Sequence, residues 1–190
     1  MTFGPAPLPR YFCDANVLYP SLLRDLLIRL AIADLFELRW SDEVHDEWTR
    51  NLLFNRPDLT PAQLARTRRQ MEAAVPDAHM EGYEMLVPEL VLPDPDDRHV
   101  LAATLRAGAA LLTFNLRDFP GAQVRGTAVL HPDTALPPLI QDHPEMFRTV
   151  LNEMSQALRT PPLRELDIAS GLDRAGLPRS ASLLEAVLND

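Results

Sequence analysis

Apolar residues along this chain change period repeatedly, and the changes mark out alternating strands and helices. Arg10 to Asp14 is a short aromatic-rich run that predicts a buried strand. Pro20-Ser21 then opens a helix in which Leu22, Leu23, Leu26, Leu27, Leu30 and Ala31 recur at helical spacing. Phe36 to Trp40 predicts a second strand. Ser41 is a good N-cap, with Asp42 and Glu43 suited to the first turn of a helix that runs to about Phe54. Val44, Trp48, Leu52 and Leu53 supply its inner face. Thr60-Pro61 caps and starts another helix, ended by Pro76.

The second half follows the same logic. A strand is expected near Tyr83 to Val87. Pro93 to Asp97 reads as a turn opening a helix over Asp96 to Ala107, closed by Gly108. Ala109 to Thr113 is a strongly apolar strand, Asn115 to Pro120 a loop, and Ala128 to Leu130 a last short strand. After Leu130 only helical patterns remain: His143 to Arg159, Leu163 to Ile168 and Pro178 to Leu188. The fold class expected is therefore α/β, layered around a mostly parallel sheet, with a helical C-terminal extension. The expected division is a tail over 1–9, an α/β domain over 10–138 and the extension over 139–190.

Composition narrows the function classes. With 190 residues and 46% hydrophobic residues, the chain can bury a core without staples. Its one cysteine, Cys13, lies on the first expected strand and reads as core, so an internal disulfide framework is excluded. Met1 to Pro9 lacks the charged and apolar pattern of a signal peptide, and no apolar run is long enough to cross a bilayer. A cytoplasmic location and no membrane partner are expected. The net charge of −9 would repel a phosphate chain, so a nucleic-acid substrate needs an offsetting cation, a local basic patch or a basic partner. Arg66, Arg68 and Arg69 form the densest basic cluster, more in keeping with a solvated helix face than with RNA contact.

Candidate chemistry gathers at strand ends and helix starts, where parallel sheets build their sites. Four segments carry it: Asp14-Ala15-Asn16, Glu43 to Glu47, Asp94-Pro95-Asp96-Asp97, and Asn115-Leu116-Arg117-Asp118. Hard cations such as Mg²⁺ or Mn²⁺ take oxygen ligands, and clustered carboxylates repel one another until a cation sits among them. Each segment alone has an ordinary explanation in turn, cap or surface chemistry. Their order along alternating strands and helices raises the metal reading above those. Histidines His45 and His99 lie near the acidic segments but read as structural, and no His/Cys spacing suggests zinc. A glycine-rich phosphate loop is also missing from the sequence.

Together, Asp-Ala-Asn-Val-Leu, Ser-Asp-Glu-Val-His-Asp-Glu-Trp, Asp-Pro-Asp-Asp-Arg-His-Val-Leu-Ala-Ala and Leu-Leu-Thr-Phe-Asn-Leu-Arg-Asp-Phe-Pro resemble the PIN-domain nucleases across Arg10 to Leu130. Within that family the chain is most similar to the VapC-like toxins. The resemblance implies a Rossmann-like α/β/α fold and Mg²⁺- or Mn²⁺-dependent endoribonuclease activity that leaves a 5′-phosphate and a 3′-hydroxyl. It further implies an RNA substrate, a cognate antitoxin and a homodimer. Asp14, Glu47, Asp97 and Asp118 match the family's catalytic and metal-binding acids. Asn16 matches the polar partner near the first of those aspartates, Thr113 and Asn115 match the family's polar strand-end positions, and Arg117 sits in the last motif as a phosphate contact, so these four are the candidate substrate-binding residues. Asp94 and Asp96 offer further carboxylates for the same ion, and Glu43 shares the helix face of Glu47.

Three other readings stay open. The chain could be a PIN-type nuclease of RNA processing or DNA metabolism without an antitoxin, or a degenerate domain that only binds RNA or protein. A phosphotransfer enzyme of the haloacid-dehalogenase type would want a second aspartate at the position of Asn16 and a lysine, and this sequence has no lysine. The apolar helix from Leu22 to Ala31 suits burial against the sheet, a dimer interface or a groove for an antitoxin helix.

Overall fold

A computed structural model describes residues 8–121, 125–157 and 162–189. Residues 1–7 of the expected tail, and the end of the helix expected to reach Arg159, lie outside the described residues. Strands β1 (Arg10–Cys13), β2 (Glu37–Arg39), β3 (Ala110–Leu112) and β4 (Val129–Leu130) form one sheet. Its order is β2-β1-β3-β4 and every pairing is parallel. The expected α/β class with a parallel sheet is what the chain adopts, compatible with a Rossmann-like fold. β1 is central, with Phe12 and Cys13 fully buried, as an all-parallel sheet covered by helices requires.

Helices α1 (Ala15–Leu18), α2 (Ser21–Ile32), α3 (Asp42–Asn55), α4 (Pro61–Ala74) and α5 (Arg98–Ala107) connect and cover the strands. Ser41 caps α3 by accepting from Val44 N at 3.3 Å. Thr60 and Gln63 form a reciprocal capping box on α4. Gly108 ends α5 at φ 59°, a left-handed geometry that disfavours residues with a Cβ. One expected strand is corrected: Tyr83 to Val87 carries no strand. A 3₁₀ helix runs over Glu84–Glu89 instead. Gly82 at φ 75° turns the chain before it, and Pro88 within it cannot donate to a ladder.

Four helices follow the sheet: α6 (Pro132–Asp142), α7 (Pro144–Ala157), α8 (Glu165–Arg174) and α9 (Pro178–Asn189). The sequence reading had no helix at α6, which crosses the division expected at 138. These helices pack on one another, and α7 and α8 pack against α2. Leu23, Leu26, Leu27 and Leu30 of α2 are fully buried, as are Phe147, Leu151 and Met154 of α7. Each such side chain stabilises the fold by about 1.5–3 kcal/mol. Gly171 lets α8 approach closely, because a Cβ there would run into Leu22 Cδ1. Arg29 of α2 also reaches Glu153 of α7 at 3.3 Å. Much of the apolar stripe of α2 is thus covered from within the chain. Among the described residues no helix is long and apolar enough to cross a membrane.

Candidate functional site

Asp14 follows β1 and is held at the sheet's carboxyl edge by its own backbone N–H, which donates to Leu112 O at 3.0 Å. Its side chain is 5% exposed. Two donors converge on Asp14 Oδ2: Thr113 Oγ1 at 2.7 Å and Asn16 Nδ2 at 2.6 Å. Thr113 Oγ1 in turn accepts from Asn115 N at 2.9 Å, and Asn16 Oδ1 accepts from Phe114 N at 3.1 Å. Asn16 and Thr113, expected to meet substrate, are therefore engaged in fixing this carboxylate. Asn115 contributes through its backbone. Burial pushes the Asp14 carboxyl up, the Thr113 hydroxyl and Ala15 N–H pull it down, and the charge of Glu47 pushes it up again; the net direction is upward.

Glu43 and Glu47 leave α3 on one face, four residues apart. Each has its own partner. Tyr83 Oη donates to Glu43 Oε1 at 3.1 Å, and Glu47 Oε1 lies 2.7 Å from His99 Nε2. His99 Nδ1 is 3.6 Å from Glu43 Oε2. Burial lowers the His99 imidazolium, but the hydrogen bond and charge of Glu47, with Glu43 and Asp14 behind it, more than reverse that and raise it. The sequence reading passed over His99 as structural. A signal was available: it falls two residues after Asp97, on the buried face of α5. His45, by contrast, is core as expected. It is fully buried, accepts from Trp48 Nε1 at 2.9 Å and is driven down to about 4 mainly by burial.

Asp97 precedes α5 and its side chain makes no capping hydrogen bond. The residue is half-buried. Burial first, then the charges of Asp14, Asp118, Asp94 and Glu47, push it from 3.8 to about 7. Asp94 supplies the turn, accepting from Asp96 N at 2.9 Å. Asp96 is exposed. Asp118 ends a 3₁₀ turn, Leu116–Asp118, beyond β3. Arg117, beside it, is exposed and forms no ion pair among the described residues. Arg68 is not available to a substrate, since Asp42, Asp46 and Glu72 all hold it.

Strand ends and helix starts thus bring Asp14, Glu47, Asp97 and Asp118 into one electrostatic neighbourhood. Their oxygen donors suit Mg²⁺ or Mn²⁺ in type, and the charges of the neighbouring acids add to burial in raising the Asp97 carboxyl. Among the described residues, no three His, Cys, Asp or Glu side chains stand close enough together to hold an ion directly. The set matches a hard cation in the type of its donors and not, among the described residues, in their closeness.

Residues 132–186 match the family model described as the VapC50 C-terminal domain. That segment is α6 to α9, less than half of the chain. No curated protein and no solved structure matches the chain.

Proposed function

We propose that this protein is a Mg²⁺- or Mn²⁺-dependent endoribonuclease of PIN type, the toxin of a toxin-antitoxin pair. The observation that carries the reading is the gathering of Asp14, Glu47, Asp97 and Asp118 at the carboxyl edge of the sheet, where burial first and then the charges of Asp14, Asp118, Asp94 and Glu47 push the Asp97 carboxyl to about 7. The carboxylates come from four separate segments of the chain, and His99 pairs with Glu47 beside them. Two non-overlapping stretches support the same family line. The four motifs of Arg10 to Leu130 are similar to VapC-like toxins, and residues 132–186 match the VapC50 C-terminal domain.

In this reading Asp14, Asp97 and Asp118 hold the cation, directly or through water. Bound there, the ion would lower the pKa of water and offset the charge of a scissile phosphate. Asp14 is pinned by Thr113 and Asn16, so its ligand geometry is set before substrate arrives. Glu47, steadied by His99, orients the attacking water. Arg117 meets a substrate phosphate. The antitoxin and a homodimer belong to the same proposal. The coverage of α2 by α7 and α8 leaves them less of that helix to use.

The spacing of the acids favours one second reading, a domain that binds RNA or protein without cutting. Inducible expression of wild type beside Asp14→Ala, with sequencing of RNA 5′ ends, separates the two. New 5′ ends that need Asp14 are expected for the nuclease. Identical RNA ends in both strains, with the proteins folded and no Mn²⁺ bound in a calorimetric titration, would give the second reading.

A further inference from the structure

We propose that the face of α3 beyond Glu47 is a track for single-stranded nucleic acid, with Phe54 as a base-stacking platform and Arg50 as a phosphate contact. The proposal rests on the nuclease reading above and deepens it, since it names a substrate-contact surface on α3 outside the acids.

The geometry begins with the helix itself. α3 is regular from Asp42 to Asn55. At about 100° per residue, Glu43, Glu47, Arg50 and Phe54 fall within an arc of about 60°. That arc is the site's own face, because Glu43 meets Tyr83 and Glu47 meets His99. Phe54 lies seven residues past Glu47, about 10 Å along the axis. The stripe therefore leads from an acid of the site to an aromatic ring.

Phe54 is 87% exposed, the most exposed large hydrophobic side chain among the described residues. A phenyl ring left in water needs a reason, and its surroundings select one. Asn51 and Asn55 beside it are exposed and polar, while Leu52 turns into the core. Protein-docking anchors sit in broader apolar patches rimmed by polar groups. A single ring among polar residues is what a base needs, since every base has a π-face and its phosphate stays in water. Charge agrees. Arg50 is exposed and has no ion pair or hydrogen bond among the described residues, whereas Arg56 is paired with Asp58 and Arg68 with three carboxylates. On a chain of net −9, an arginine left free on the site's face is suited to a phosphate.

The test uses the full chain and a labelled oligouridylate, with Ca²⁺ replacing Mg²⁺ for binding and Mg²⁺ restored for cleavage. Phe54→Ala should weaken single-strand binding about tenfold, and Phe54→Trp should keep it. Binding of a duplex should be indifferent to both. Arg50→Gln should lower the slope of log affinity against log salt by about 0.7. In cleavage, Phe54→Ala should raise KM with kcat held. Both residues are exposed, so thermal melting should not move. Wild type that cuts RNA while Phe54→Ala binds and cuts as well would overturn the track and leave the nuclease reading standing. Wild type that neither binds nor cuts with Mg²⁺ or Mn²⁺ would overturn both. A variant that loses a protein partner but keeps strand affinity would assign the face to protein and overturn the proposal.

Discussion

Asp14 and Asp133 are both nearly buried, at 5% and 6% exposure, and sit in opposite surroundings. Asp133, on α6, meets only donors. Arg179 N reaches it at 3.1 Å, and Ser180 N and Ser180 Oγ each at 2.7 Å. The two backbone donors are free N–H groups at the positive end of α9, so one carboxylate caps that helix. Asp14 also meets two side-chain donors, but it faces Glu47 and Asp97 across the sheet edge. One aspartate completes its neighbours' bonding. The other adds charge where charge is already unbalanced. A folded chain keeps the second kind at a cost in stability, and that cost is the physical ground for reading the sheet edge as functional.

The contrast breaks most sharply by exchanging the effects of two substitutions. Asp133→Ala should cost about 3 kcal/mol, because it strands two buried donors of Ser180 and the part-buried N–H of Arg179 at the start of α9. Its melting temperature should fall, and its cleavage rate below that temperature should match wild type. Asp14→Asn should do the reverse, losing cleavage while melting no lower than wild type. If Asp133→Ala lost cleavage while still folded, the helical layer would share the site and the comparison would fail.

A divalent ion sharpens the same contrast by a smaller amount. At about a hundredfold excess over its Kd, Mn²⁺ should stabilise wild type by about 2.7 kcal/mol. Asp14→Asn and Asp97→Asn should lose most of that gain in scanning calorimetry. Asp133→Ala should keep it, from a lower starting point. An equal gain in all three variants would place the ion elsewhere.

The two regions were not equally legible in the sequence. Asp14, Glu47, Asp97 and Asp118 each sit beside a local signal: a strand end, the Ser41 cap, the Asp94 turn, the loop past Thr113. Local signals survive without knowledge of the fold. What the sequence hid were pairings across it. His99 meets Glu47 from 52 residues away and Tyr83 meets Glu43 from 40, so neither partner marks the other. Thr113 is read as a substrate contact from the family resemblance; Asp14, which its hydroxyl holds, lies 99 residues away. In the extension, α6 was missed because Pro137 and Pro138 argue against a helix. Packing overrides that preference: Pro137 and Ile140 are buried, α6 lies against α9, and Pro132 starts the helix where no N–H is needed. The strand expected at Tyr83 to Val87 has no neighbouring strand to pair with among the described residues.

The smallest expected effect isolates the charge on the acidic face itself. In metal-free protein the Asp97 carboxyl titrates near 7 instead of 3.8, so the folded state holds a proton that the unfolded chain has released. Stability from that proton is fully present below about 3.8 and is lost as pH rises through about 7. Melting temperature in EDTA should therefore fall across that window. Asp97 is about half exposed, and solvent screening keeps the slope modest. Asp97→Asn imitates the protonated form, so the difference between wild type and variant should grow with pH and level off above about 7. Added salt should shrink it, because part of its origin is repulsion from Asp14, Asp118, Asp94 and Glu47. A difference curve that stays flat from about pH 4 to about pH 8 would mean that Asp97 titrates alike in folded and unfolded protein. The sheet edge would then hold its acids as comfortably as α9 holds Asp133.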